Sequence, residues 1–246
     1  MQKGEKVSRT VQIKRRFCGP PESGNGGYVC GLIGGTLAGP ATVRLFLPPP
    51  LEKNLQLDKA DSEVCLLDGD KLVAKGWLET LNVECPSVPD FESAGKAAEH
   101  FSGFAEHPFP GCFVCGPNRT EGDGLRIFPG HLPDSDVVAA PWIPDTTLRA
   151  SADSQLIDRI YIWAALDCTS AFPMLPAGNG KALVLGQMSV QINADIRVGE
   201  KCVMLGWPLS RDGKKHFSAS AVIGENGSVA AVAKATWIEV NAASFQ

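Results

Sequence analysis

The sequence predicts an α+β protein of two similar halves, each an antiparallel sheet packed on one apolar helix. Three observations carry this. First, a strand–bend–strand pattern is written twice. Val43-Arg44-Leu45-Phe46-Leu47, a bend ending in Glu52-Lys53 and Asn54-Leu55-Gln56-Leu57 match Val190-Gln191-Ile192-Asn193, a bend ending in Glu200-Lys201 and Cys202-Val203-Met204-Leu205. Apolar residues tend to alternate in both, as a sheet with one buried face requires. Second, each half closes on a hairpin strand of one form. Asp68-Gly69-Asp70 leads to Val73-Ala74-Lys75-Gly76-Trp77, and Glu225-Asn226-Gly227 leads to Val232-Ala233-Lys234-Ala235-Thr236-Trp237. Asp-Gly and Asn-Gly supply the positive φ that tight hairpins need. Third, an apolar helical run precedes the strands in each half.

The first run, Tyr28 to Ala38, is opened by Gly24-Asn25-Gly26-Gly27 and stopped by Gly39-Pro40. It has no charged residue, so burial on all sides is expected. Its glycines cost roughly 1 kcal/mol each against Ala, which points to close packing against another backbone. The second run, Leu156 to Phe172, ends at Pro173 and carries one charge near its C-terminal end, Asp167. The repeated order of features points to an internal duplication. The expected division is 1–90, a link over 91–123 and 124–246. Within the link, Phe91 to His100 reads as a short surface helix, and Pro- and Gly-rich sequence follows it.

Composition sets the bounds. The 246 residues are 44% hydrophobic and 20% charged, with a net charge of -4; this suits a globular protein with a real core. No broad basic surface is present, so no nucleic-acid partner is expected. Lys14-Arg15-Arg16 is isolated and reads as a solvated strand end, and Arg211, Lys214, Lys215 and His216 flank a hairpin turn at Asp212-Gly213. No run approaches the roughly 20 apolar residues of a membrane span. Met1 to Lys6 is charged with no apolar run behind it, so no signal peptide is expected. Eight scattered cysteines suggest reduced thiols in a cytoplasm.

One apolar helix wrapped by an antiparallel sheet is the hotdog arrangement, and two in one chain resemble the double-hotdog proteins of the acyl-CoA thioesterase superfamily. Gly24-Asn25-Gly26-Gly27 is similar to the His-Gly-Gly helix start of hotdog thioesterases. His107-Pro108-Phe109-Pro110-Gly111-Cys112-Phe113-Val114-Cys115-Gly116-Pro117, with Trp163 to Cys168, resembles a bacterial group of that superfamily. The resemblance runs from about Val7 to Val240. It implies an acyl-CoA or other acyl thioester substrate, no cofactor, and room for a homo-oligomer. Hotdog domains also serve as hydratases, dehydratases and non-catalytic acyl binders, so the fold alone does not fix the reaction.

The family pattern places an oxyanion site at the glycine-led helix start and an acid about nine positions on. On one helix that spacing is roughly 13 Å, so two antiparallel helices each lend one part. Nine positions after Asn25 stands Gly34, and nine before Asp167 stands Asp158. The first half thus has the glycine start without the acid, and the second has the acid without the glycine start. One composite site is expected: Asp167 as general base or nucleophile, the backbone N–H groups of Gly27 and Tyr28 for the oxyanion, and Asn25 in place of the family's His. Gly26, Tyr28 and Ser170 are the further candidates for substrate contacts, Ser170 by positioning water. The pairing of Gly34 with Asp158 should be inert. A non-catalytic acyl or acyl-CoA binder is the alternative, and a hydratase ranks below both because Asp167 has no His partner. Cys112-Phe113-Val114-Cys115-Gly116 resembles a zinc knuckle, but a closed site needs four ligands. With no second Cys pair, packed thiols and no metal are expected. Cys30 and Cys168 read as buried small hydrophobes.

Overall fold

The computed structural model describes residues 7–175 and 180–245; Met1 to Lys6 therefore lie outside the described residues. The first half contributes β1 (Val7–Gln12), α1 (Gly26–Gly34), β2 (Ala41–Leu45), β3 (Asn54–Ala60), β4 (Glu63–Asp68) and β5 (Lys71–Leu78). A connecting helix α2 (Phe91–Ala98) follows. The second half contributes β6 (Gly130–His131), β7 (Val138–Trp142), α3 (Arg159–Ala171), β8 (Lys181–Ile192), β9 (Cys202–Asp212), β10 (Lys215–Ile223) and β11 (Val229–Asn241). The turns into β5, β10 and β11 carry Gly69, Gly213 and Gly227 at φ of 59°, 56° and 79°, a region glycine enters without a Cβ clash.

All strands join one antiparallel sheet in the order β1-β3-β4-β5-β2-β8-β11-β10-β9-β7-β6. The halves meet where β2 pairs with β8, from Ala41 opposite Val190 to Arg44 opposite Gln187. A hydrogen bond of 2.6 Å between the Thr42 and Ser189 hydroxyls fastens this joint. On either side of it the order is mirrored: β5, β4, β3 and β1 one way, β11, β10, β9 and β7 the other. The chain is thus two fused hotdog domains, each an antiparallel sheet around a central helix.

The pairing also aligns the two hairpin strands. Val43 lies opposite Gly76 and Met188 opposite Ala235, while Val43 and Met188 lie opposite each other. Gly76 therefore corresponds to Ala235, and Trp77 to Thr236. The two tryptophans that look alike in sequence are one residue out of step, and a one-residue step reverses the face. Trp237 is buried and donates its indole N–H to Ser170 on α3 at 3.0 Å. Trp77 is only half-buried.

Helices α1 and α3 run antiparallel against each other inside the sheet, with α1 on β2, β5 and β4 and α3 on β9, β10 and β11. The glycines of α1 set their approach. A Cβ on Gly27 would stand 2.3 Å from Asp167 Cβ, and one on Gly31 would stand 3.0 Å from Ile160 Cα. Helix α1 is shorter than its apolar run suggests, because Gly35 caps it after Gly34 and turns follow.

The connection is more than a surface link. Ala94 and Ala97 of α2 are buried with Ala139, Val203 and Leu205 on the outer face of the second half's sheet, and Leu81, Val83 and Cys85 pack beside them. Phe113 is fully buried in the main core. No helix among the described residues is long and apolar enough to cross a membrane.

Candidate active site

Asn25 is the N-cap of α1 and its side chain faces two ways. Its Oδ1 accepts from the Tyr28 N–H at 2.9 Å, the usual capping bond. Its Nδ2 donates to Asp167 Oδ2 at 2.9 Å, across the joint between the halves. The Gly27 N–H donates to the same oxygen, also at 2.9 Å. One carboxylate oxygen thus receives a helix-start N–H and a side-chain amide, where the partial positive charge of the α1 N-terminus favours an anion. The absent Cβ of Gly27 is what admits Asp167 so closely.

Asp167 is 1% exposed, and its Oδ1 has no hydrogen-bond partner among the described residues. Burial pushes its carboxyl up to about 7; the Gly27 N–H pulls the other way, the Cys112 sulfur pushes it further up, and the Asn25 amide pulls it down. Such a carboxyl exchanges protons near neutral pH.

A cavity of about 270 Å³ opens beside this cluster. Asn25, Gly26, Asp167 and Cys168 line it, with Cys112, Cys115 and His107 from the connection and apolar walls from Phe109, Phe172, Leu183 and Leu185. The volume lies near the lower end of ligand pockets, roughly 300–1,000 Å³.

The structure departs from the sequence-based expectation at three residues. The N–H groups of Gly27 and Tyr28, expected to hold an oxyanion, donate to Asp167 and Asn25. The Tyr28 side chain does not line the cavity. Its ring stacks on Phe17 at 4.1 Å and meets Phe113 edge-on. Ser170 is fully buried, donates to the Asp167 carbonyl at 2.7 Å and accepts from Trp237. Its hydroxyl bonds back to its own helix and is not placed to position water in the cavity. Gly26 does line the cavity, and a Cβ there would stand 2.8 Å from Leu185 Cβ. At the other end of the helix pair, the Trp163 indole covers Gly34 and the Asp158 carboxylate caps α3 at the Ile160 N–H.

Sequence reasoning did not place the three sulfurs here. The sulfurs of Cys112, Cys115 and Cys168 all lie within 4.8 Å of one another and are buried. Those of Cys112 and Cys168 are 3.7 Å apart. The Asn25 amide stands 3.9 Å from the first and 3.8 Å from the second. Nearby, His107 Nδ1 accepts from the Phe109 N–H at 3.0 Å, while its buried Nε2 has no partner among the described residues. Burial pulls the His107 pKa down. The available signal was that Cys168 directly follows Asp167: an acid at the site brings its neighbour within reach of the Cys-x-x-Cys loop.

No protein-family model matches the sequence, and no curated protein matches it. Solved structures do match in fold. The tesB protein of Mycobacterium avium subspecies paratuberculosis is 13% identical, with a TM-score of 0.61 over 95% of this chain and 93% of that one. The acyl-CoA thioesterase II TesB2 of Mycobacterium marinum is 11% identical, with a TM-score of 0.58 over 95% and 93%. A hot dog fold protein of Alicyclobacillus acidocaldarius is 10% identical, with a TM-score of 0.54 over 95% and 93%. Along almost its whole length, then, the chain has the double-hotdog fold of TesB-like thioesterases.

Proposed function

We propose that the chain hydrolyses acyl thioesters, acyl-CoA foremost, at one composite site between its halves. The observation that carries this reading is the carboxylate of Asp167: one oxygen is held by Asn25 and Gly27 of the other half, while the second is unpartnered and the residue lines an apolar cavity. The acyl chain occupies the cavity, with the thioester carbonyl against the start of α1 at Gly26. Asp167 Oδ1 takes the proton of the water that attacks the carbonyl carbon. The oxygen of that carbonyl gains negative charge, which the partial positive charge of the α1 N-terminus stabilises. The tetrahedral intermediate then collapses: the C–S bond breaks, and the leaving thiolate takes the proton that Asp167 had accepted, which regenerates the carboxylate. Direct attack by Asp167, giving an anhydride that water opens, uses the same oxygen.

The test is free-thiol release from a panel of short, long and aromatic acyl-CoA esters, with Asp167→Asn beside the wild type. The variant should lose on the order of 100-fold or more in turnover and keep a similar affinity for the ester. Turnover unchanged by the substitution would overturn the assignment of Asp167.

One observation favours a second reading, a non-catalytic acyl binder. The Gly27 and Tyr28 amides, which would otherwise face an oxyanion, already serve Asp167 and Asn25. Saturable binding of acyl-CoA with no hydrolysis of any ester in the panel would select it.

A further inference from the structure

We infer that Cys112, Cys115 and Cys168 form a metal site that takes a divalent, thiolate-preferring ion such as zinc, with its fourth position on the cavity side. This does not depend on the hydrolytic reading.

Two thiolates on a tetrahedral ion at about 2.3 Å each stand about 3.8 Å apart. Cys112 and Cys168 are 3.7 Å apart, and all three sulfurs lie within 4.8 Å of one another. An ion inserted among them therefore needs only small side-chain movements. A disulfide would need two sulfurs to close to about 2.05 Å, and all eight cysteines are free.

The Cys-x-x-Cys loop is also shaped for such a site. The loop closes with the Gly116 N–H donating to the Cys112 carbonyl at 2.9 Å. A Cβ on Gly116 would stand 2.5 Å from that carbonyl oxygen, so only glycine fits the closure. The closed loop carries Cys112 and Cys115 together, and the Asn25 amide, 3.9 Å from the Cys112 sulfur and 3.8 Å from that of Cys168, is an outer donor to two of the ligands. A plain packed thiol has no need of such a donor.

Asp167, adjacent to Cys168, is buried with Oδ1 unpartnered among the described residues, and it lines the cavity that all three cysteines line. A buried, unpartnered carboxylate oxygen is costly. A ligand on the fourth position, such as a water, would give it a donor. Three protein ligands with one open position is the pattern of reactive rather than closed structural zinc sites. Binding displaces the three thiol protons and leaves three thiolates on a 2+ ion. The resulting net negative charge is met in part by the Asn25 amide directed at two of the sulfurs.

The test uses the full chain, purified under reductant. Zinc retained through gel filtration is measured by elemental analysis. Cobalt(II) is then added to chelator-stripped protein and read by absorption. Expected are one equivalent of zinc per chain, and with cobalt a sulfur-to-metal charge-transfer band with the intense visible bands of tetrahedral coordination. Cys112→Ser and Cys168→Ser should each weaken the band and lower zinc retention against a competing chelator. Asn25→Ala, which removes an amide near two of the sulfurs, should weaken retention by about 10–100-fold. Cys85→Ser, in the outer cluster, should leave all readouts unchanged. The wild-type spectrum decides the matter even if a cysteine variant fails to fold. Protein that holds no zinc and gives no thiolate–cobalt band would overturn the site. A band that persists undiminished in folded Cys168→Ser protein would overturn the ligand set.

Discussion

The Asn25 side-chain amide and the Asp167 carboxylate meet at 2.9 Å although 142 residues separate them in the chain. Asn25 is at once a helix cap and the partner of a buried acid. Asn25→Ala should therefore lose a cap, about 0.5–2 kcal/mol, and leave Asp167 with one donor fewer. Urea denaturation should show a loss at the upper end of that range or beyond it. Asn25→Asp keeps the capping oxygen but sets a second carboxylate against Asp167, and should lose more hydrolysis than it loses stability. Equal stability losses with hydrolysis intact in both would refute the pairing.

Two glycine-to-alanine changes should have opposite signs. Gly27→Ala puts a Cβ 2.3 Å from Asp167 Cβ and 2.7 Å from the Trp163 carbonyl oxygen. The helices must part, at roughly 1–3 kcal/mol or more. Gly95→Ala lies within α2 with nothing near its added Cβ, and should stabilise by about 0.5–1 kcal/mol. Thermal melts of the two variants give the comparison directly.

Asp167 should make metal-free protein less stable as pH rises. Its folded pKa is raised to about 7, against about 3.9 for an unfolded aspartate. Between those values the folded chain holds a proton that the unfolded chain has released. Stability contributed by this group is thus full below about pH 4 and lost as pH climbs to about 7, at up to roughly 1.4 kcal/mol per pH unit. Asp167→Asn should remove that slope, so denaturation at pH 5 and pH 8 should differ less in the variant. Identical pH dependence in both proteins would contradict the raised value.

Ser170 should matter to stability and not to chemistry. Its removal leaves the buried Trp237 indole N–H without an acceptor, a cost of about 1–3 kcal/mol. Ser170→Ala should melt lower and keep its kcat. A selective fall in kcat with an unchanged melt would restore the water-positioning role expected from sequence alone.

Much of the fold could be read from local chemistry. Gly69, Gly213 and Gly227 mark hairpins because the turns need positive φ, and both central helices are announced by apolar runs with a glycine-rich or charged end. The neighbour relation of β2 and β8 has no such local sign, since a strand's partner depends on the whole sheet. The paired tryptophans misled for the same reason: a face is set by register, which the motif does not contain. At the site, Asn25, Gly26, Gly27 and Asp167 were legible because their family spacing and helix chemistry are local. The occupied amides, the inward turn of Ser170 and the third sulfur were not, because each depends on where α3 sits against α1.

The joint between β2 and β8 makes one hydrogen-bonded sheet of both halves, with the Thr42–Ser189 bond inside it. Continuity of the polypeptide is then not what holds the halves together. Residues 79–90, which carry no regular secondary structure, could be cut by a protease and the two fragments would remain associated, melting as one cooperative unit. In this respect the molecule behaves as a dimer whose subunits happen to be tethered.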